Sequence, residues 1–421
     1  MPDPAFADRP TAENRRLLTT PPHTRRPRGL MRCQSPAVDA VLADPSGADA
    51  LWERAVRDGT PLVEGSGSER AYTWLYRGNA RRVALVAGKL TDDTNIDDVV
   101  FDRIPGTDVF ALTLRLGSAW RGTYSIAVDA DPVPDVAPEL AERLARALAM
   151  TDPPRHERVR DWYSLLTVAR PDWLARESFR GSSVAAGPDA PARAEIPDPP
   201  RAGRIERVHL PSGRDARWYL PDEIVRADRV IVMLDGDRRL SGGAEEFDAW
   251  AQAHLSTGTA VLLLGHGDLT QRDHDLTCNP GLVEDLRALL DDAPLEIPDD
   301  PAATAIQGSS LGGLSALYAQ CVAPDRFGVS ICQSPSFWWP NAKSGHEPEW
   351  LTTALASSNA RLGKVHLSVG TDEWVLTGPV RRMRDVVAPR AEHLDYEEFD
   401  GGHDAPCWEA SLPRVLRAFG F

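Results

Sequence analysis

Ser310 stands in Gly308-Ser309-Ser310-Leu311-Gly312, a Gly-x-Ser-x-Gly pentapeptide between an apolar lead-in and a helix-like run. A serine held at a sharp strand-to-helix turn tolerates only small neighbours, and Gly308 and Gly312 meet that demand. The helix behind it, with Leu311, Leu314, Ala316, Leu317 and Ala319, would point its N-terminal dipole at a developing negative charge. Such a serine is a nucleophile only when a neighbouring base takes its proton, and histidine is the usual base. His403 stands out among ten histidines because Gly401-Gly402-His403-Asp404 follows an expected strand, Leu394 to Phe399, near the C-terminus. A carboxylate should orient that imidazole, and Gly370-Thr371-Asp372-Glu373-Trp374 offers two, Asp372 and Glu373, just after the expected strand Val365 to Val369. Acyl transfer also needs donors for a tetrahedral oxyanion. The amide of Leu311 is one candidate, and the Leu234-Asp235-Gly236-Asp237 turn offers Gly236 and Asp237 as the other.

These residues need elements to hold them. Val230 to Leu234, Ala260 to Leu264, Thr304 to Gln307, Val329 to Cys332 and Val365 to Val369 are short, nearly continuous apolar runs of the kind buried on both faces of a sheet. Helical stretches at Glu245 to His254, Gly281 to Leu290 and Leu311 to Ala323 alternate with them, and Arg204 to Leu210 and Asp215 to Leu220 read as paired strands. That alternation predicts an α/β fold with a mostly parallel sheet, and with Ser310 at a strand's carboxyl end. The order serine, acid, histidine is that of an α/β-hydrolase domain, expected over residues 203–421.

Upstream the period changes. Residues 1–33 are rich in Pro and Arg without hydrophobic periodicity and are expected to be a loose leader. Val38, Val41, Leu42, Leu51, Trp52 and Val56 suggest one or two short helices. Pro61 to Glu64, Arg70 to Tyr76, Arg82 to Ala87, Val109 to Leu116 and Gly122 to Val128 then read as strands of a small antiparallel β-sandwich, within a domain spanning 34–150. A helix is expected near Ala137 to Leu148. Residues 151–202, with Asp152-Pro153-Pro154 and Pro197-Asp198-Pro199-Pro200, are expected to be a connector and linker.

At 421 residues two domains are expected, and 42% hydrophobic with 26% charged residues is enough to build their cores. A formal charge of −15 disfavours nucleic acid or an anionic membrane as partner. No stretch approaches the roughly 20 apolar residues of a membrane span, and the expected location is the cytoplasm. Cys33, Cys278, Cys321, Cys332 and Cys407 are odd in number and widely spaced, which suggests reduced, buried thiols. Nothing has metal-ligand spacing, so no bound metal is expected.

Taken together the motifs resemble the enterochelin (enterobactin) esterases. Gly308 through Ala319 is similar to that family's nucleophile segment, and Gly401-Gly402-His403-Asp404-Ala405-Pro406-Cys407-Trp408 to its histidine motif. Further similarity lies in Met233-Leu234-Asp235-Gly236, Arg272 to Leu276 with Cys278-Asn279, and Gln333-Ser334 with Phe337-Trp338-Trp339-Pro340. In the N-terminal part it lies in Gly106 to Val109 and Trp120 to Tyr124. Asp275 departs from the resemblance, standing where the family usually has a glutamate. The resemblance implies a serine esterase that opens the ester backbone of a ferric catecholate siderophore. The family's Gly-x-x-Glu pattern would make Glu373 the acid, with Asp372 as the alternative. Iron would enter bound to the substrate, and no organic cofactor would be needed. An anionic, ring-bearing substrate calls for cations and aromatic faces, for which Arg121, Arg238, Arg272, Trp338, Trp339 and Trp408 are the candidates. The competing readings are an esterase-D-type enzyme acting on feruloyl, thioester or trehalose esters, and a non-catalytic siderophore- or carbohydrate-binding protein.

Overall fold

The computed structural model describes residues 3–11, 15–22, 24, 26–27, 29–129, 135–193, 202–210, 213–222 and 224–421. The N-terminal domain carries strands β1 (Leu62–Glu64), β2 (Glu69–Arg77), β3 (Arg82–Val86), β4 (Asp102–Arg103), β5 (Val109–Gly117), β6 (Arg121–Asp129), β7 (Ala169–Arg170), β8 (Glu177–Phe179) and β9 (Ser182–Ala186). They form two antiparallel sheets, one ordered β1-β2-β5-β4 and the other β3-β6-β9-β8, with β7 pairing to β6. Alternate residues of facing strands meet between the sheets: Tyr72 and Trp74 of β2, Leu112 and Leu114 of β5, Val83 and Leu85 of β3, Tyr124 and Ile126 of β6. That spacing of two is the pleat written into the sequence.

Two expectations about the segments outside the two domains need correction. The stretch 151–202 is not mainly connector, because helix His156–Val168 buries Val159, Trp162, Tyr163 and Leu165 against the sandwich core, and β9 pairs with β6. The sandwich therefore runs on to about residue 187, whereas Pro197-Asp198-Pro199-Pro200 lies outside the described residues. The described parts of the leader are docked. Phe6 is buried edge-on to Tyr318 at 6.4 Å, Leu18 is buried, Arg9 Nε donates to Thr277 O at 2.7 Å, and Arg26 pairs with Asp372. A few single anchors hold this segment, so it shows no periodicity.

The C-terminal domain carries β10 (Gly203–His209), β11 (Asp215–Pro221), β12 (Arg229–Leu234), β13 (Thr259–Leu264), β14 (Thr304–Ser309), β15 (Val329–Gln333), β16 (Leu362–Gly370) and β17 (Ala391–Phe399) in one sheet ordered β10-β11-β13-β12-β14-β15-β16-β17. From β13 to β17 every pairing is parallel, as the apolar runs predict, while β10 and β11 are antiparallel. Residues alternate between the two faces. Val230, Val232 and Leu234 pack with helices Pro280–Asp291 and Leu311–Val322 on one side; Ile231 and Met233 pack with Ala244–His254 and Ala405–Phe419 on the other. After β12 the chain turns first to β13 on one side and then to β14 on the other. The crevice at that reversal, beyond the strands' carboxyl ends, is where open α/β sheets bind ligands. The Asp235 turn and Ser310 both end strands there.

Candidate active site

Ser310 adopts φ 61° and ψ −123°, a conformation that costs a non-glycine residue on the order of 1–3 kcal/mol. Its surroundings fix it there. The Ser310 amide donates to Gln333 O at 3.0 Å, and Ser310 O accepts from the Ser336 amide at 3.0 Å and the Leu314 amide at 3.2 Å. A Cβ on Gly308 would lie 2.3 Å from the Gly312 carbonyl carbon, so glycine is obligatory at that position. Gly312 is less constrained, since a Cβ there would meet Leu234 Cβ at 3.6 Å. The hydroxyl of Ser310 lies 3.4 Å from that of Ser336.

The structure distinguishes the two candidate acids. Glu373 is buried at the start of helix Trp374–Val387, and its Oε1 faces His403 Nδ1 in a close hydrogen bond. Its Oε2 accepts from the Ser334 hydroxyl at 2.7 Å and the Gly370 amide at 2.5 Å. With Nδ1 engaged, Nε2 is the imidazole nitrogen left to exchange a proton with Ser310. Asp372 points elsewhere, accepting from Trp120 Nε1 at 2.9 Å and pairing with Arg26. Burial pushes its carboxyl above the usual range, against the pull of Arg26 and the Trp120 hydrogen bond. Trp408 completes the support: its ring stands edge-on to His403 with centroids 4.9 Å apart, and its Nε1 donates to Ser334 Oγ at 2.8 Å.

The proposed oxyanion donors are brought close to the elbow. The first amides of any helix lack intrahelical partners, and Leu311 opens the helix after Ser310. Asp235, in the left-handed region at φ 56°, turns the chain into the short helix Gly236–Arg239. A Cβ on Gly236 would lie 2.6 Å from the Leu263 carbonyl carbon, so only glycine allows this turn to pack on the adjacent strand.

Ser310 and His403 line one cavity of about 330 Å³, together with Leu234, Asp235, Gln307 and Trp408. Four arginines border it: Arg180, Arg238, Arg239 and Arg272. Arg272 donates through Nε and Nη2 to the two carboxylate oxygens of Asp235, at 2.5 and 2.7 Å, and Arg239 pairs with Glu409. Among the described residues no carboxylate lies within ion-pair distance of Arg180 or Arg238, so the lining keeps a cationic excess despite the acidic chain.

Of the six expected binding residues, Arg238, Arg272 and Trp408 reach this cavity and three do not. Arg121 is buried, donating to Glu177 Oε1 at 2.6 Å and Pro191 O at 3.0 Å. Trp338 and Trp339 are buried in the catalytic core, where Trp339 stands edge-on to Trp350 at 5.9 Å. Large rings serve a core as readily as a pocket, and the pair alone does not say which. Arg180 and Arg239 were missed. Arg239 adjoins the turn already singled out; Arg180 sits at a hairpin tip in the stretch read as connector. Of the cysteines, Cys278, Cys321, Cys332 and Cys407 are buried, whereas Cys33 is only partly so.

The sandwich also holds the loops that carry the acid and base. Thr123 on β6 donates its amide and hydroxyl to Asp404 Oδ2 at 2.5 and 2.7 Å, beside His403. The Arg121 amide donates to Asp400 O at 3.2 Å, and Trp120 reaches Asp372, next to Glu373.

Comparisons with known proteins cover both domains. Residues 71–196 match the family described as "Enterochelin esterase, N-terminal", and residues 282–419 match "Putative esterase". The iron(III) enterobactin esterase of Dickeya dadantii is 29% identical over 89% of this chain and 94% of its own length. The iron(III) salmochelin esterase of Escherichia coli is 26% identical over 86% of this chain and 91% of its own. The crystal structure of the ferric enterobactin esterase of Salmonella typhimurium superposes with a TM-score of 0.71 at 27% identity, covering 88% of this chain and 98% of that one. The matches span both domains, and over most of its length the chain is similar to the enterochelin esterases.

Proposed function

We propose that the protein is a serine esterase that hydrolyses the backbone esters of a ferric catecholate siderophore and so frees its iron. The observation that carries this reading is the joining of Ser310 and His403 to four arginines in one cavity. A ferric tris-catecholate is anionic and presents flat rings, which suits guanidinium groups and the Trp408 face. Ser310 Oγ attacks the scissile carbonyl while His403 Nε2 takes its proton, and Glu373 holds the imidazole in the tautomer that can accept it. The Leu311 amide and the amides of the Gly236-Asp237 turn stabilise the oxyanion. Collapse expels the alkoxide of the backbone hydroxyl, which His403 protonates. Water then cleaves the acyl-enzyme with the same base. These steps use side chains and backbone alone and call for no organic cofactor; iron arrives as substrate cargo. The proposed compartment is the cytoplasm, where the cysteine thiols would stay reduced.

The test is product mass spectrometry on a panel of ferric tris-catecholate lactones, ferric hydroxamates, and feruloyl, thioester and trehalose esters. Cleavage is expected for the tris-catecholate lactones with a preference of at least tenfold in kcat/KM. A preference for feruloyl, thioester or trehalose esters would overturn the substrate assignment. Absence of turnover on every ester, with siderophore still bound, would identify a binding protein instead.

A further inference from the structure

A second chamber of about 660 Å³ adjoins the reaction cavity, and the two share Arg180, Arg239 and Glu409 as a common wall. One side is the β8–β9 hairpin of the sandwich domain; the other is helix Ala244–His254 of the catalytic domain. The hairpin turns through Arg180 and Gly181 at φ 48° and 81°, the left-handed pair of a tight two-residue turn, which fixes where Arg180 stands. Guanidinium groups and rings alternate along its walls. Arg180 and Arg193 lie over Phe179 at 4.9 and 5.3 Å, and Arg239 lies over Trp250 at 5.6 Å. Arg193 also donates to Ser178 O at 3.0 Å, which anchors it to the hairpin. Glu246 and Glu409 are the carboxylates of the lining, and Arg239 engages Glu409. Among the described residues Arg180 and Arg193 have no ion-pair partner, so the chamber offers two unneutralised cations packed on the Phe179 ring.

We infer that this chamber is a second catechol-arm site, which holds a distal arm of the same substrate molecule whose ester lies at Ser310. The inference rests on the proposed siderophore esterase activity. The reaction cavity, at about 330 Å³, is at the small end of ligand pockets of roughly 300–1,000 Å³, and a three-armed substrate needs room beyond it. Arginine groups beside aromatic side chains suit a flat anionic ring, and the chamber lies next to the cavity where the scissile ester would sit. The hairpin thereby makes the sandwich domain a selector of multi-armed over one-armed substrates. It touches the part of the substrate that does not react.

The experiment compares wild type, Arg193→Ala and Phe179→Ala on two substrates of the same ester type: a ferric tris-catecholate trilactone and the methyl ester of a single 2,3-dihydroxybenzoyl-serine. Neither residue lines the reaction cavity. KM for the trilactone is expected to rise about tenfold in each variant, with KM for the one-armed ester and both kcat values changing less than twofold. Arg193→Lys should recover part of the loss and Phe179→Tyr most of it. Equal KM changes on both substrates, or none on the trilactone, would overturn the second site while leaving the esterase assignment intact. If wild type cleaves neither substrate, the esterase reading fails. The chamber is then judged by tryptophan quenching with the ferric trilactone, where a Kd unchanged by Arg193→Ala refutes it and one weakened about tenfold supports it.

Discussion

Replacing Glu373 with glutamine tests the assignment of the acid at one atom. In the native side chain Oε2 accepts two hydrogen bonds, from Ser334 Oγ at 2.7 Å and the Gly370 amide at 2.5 Å, whereas Oε1 faces only His403 Nδ1. A glutamine has one oxygen to offer. Two donors converge on the Oε2 position, so the carbonyl settles there and the amide NH2 turns to His403. Nδ1 must then act as acceptor, which puts the imidazole proton on Nε2, the nitrogen that has to receive the proton of Ser310. The equivalent loss of tautomer in a serine triad lowers kcat by about 10⁴-fold, or about 5.5 kcal/mol of barrier. Shape and packing barely change, so thermal unfolding should stay within a few degrees of wild type. Steady-state hydrolysis of a one-armed catechol-seryl ester, measured beside Asp372→Asn, reads the difference. Asp372 touches Trp120 and Arg26 and not His403, so its variant should keep kcat within about tenfold. A Glu373→Gln enzyme with near-normal kcat, or an Asp372→Asn enzyme that loses 10⁴-fold, would refute the reasoning.

Other outcomes follow from single contacts. Gly308→Ala should destabilise the protein by several kcal/mol or block folding, because the new Cβ would lie 2.3 Å from backbone of Gly312, while Gly312→Ala should fold; chemical denaturation of the two compares them. Asp404→Ala leaves the part-buried Thr123 amide without its acceptor, costing about 1 kcal/mol in urea unfolding and lowering kcat through the loosened His403 loop. Asp275 gives an acid-stability test. Burial opposes its ionisation most strongly, yet hydrogen bonds from His266 and Arg214 prevail and hold its carboxyl at about 2. A folded value below the ordinary value of about 3.9 means that its contribution, about 2.6 kcal/mol, is complete above that value and is lost as pH falls towards 2. Wild type should therefore lose stability more steeply between pH 5 and 3 than Asp275→Asn, and parallel pH profiles from urea unfolding would contradict this.

Much of the reaction centre is legible in the chain because its parts obey local rules. Thr304 to Gln307 reads as a buried strand from its apolar run, Gly308 declares a turn that no side chain fits, and His403 follows a strand end after two glycines. The choice of Glu373 over Asp372 needed more than adjacency, since the two carboxylates are neighbours in one loop and are separated by the direction in which each points. The β8–β9 hairpin escaped notice because Ser178-Phe179-Arg180-Gly181-Ser182 has neither an Asn-Gly turn nor a clear alternation, and prolines on both sides point to a linker. Arg180 went with it. Trp338 and Trp339 are expected in the pocket from the motif they share with the resembling family and from their aromatic faces, yet the same rings satisfy the core. Arg121 was drawn from the right motif for the wrong reason: its backbone clamps the histidine loop while its side chain pairs with Glu177.

The central claim is that Ser310 is acylated by the siderophore backbone. Rapid acid quenching during turnover of a ferric tris-catecholate trilactone, followed by peptide mass spectrometry, measures this directly. The account predicts a linear siderophore acyl group on the peptide containing Ser310, enriched in early time points and missing, along with turnover, in Ser310→Ala. Sustained trilactone hydrolysis by Ser310→Ala, or an acyl group carried by another residue, would contradict it.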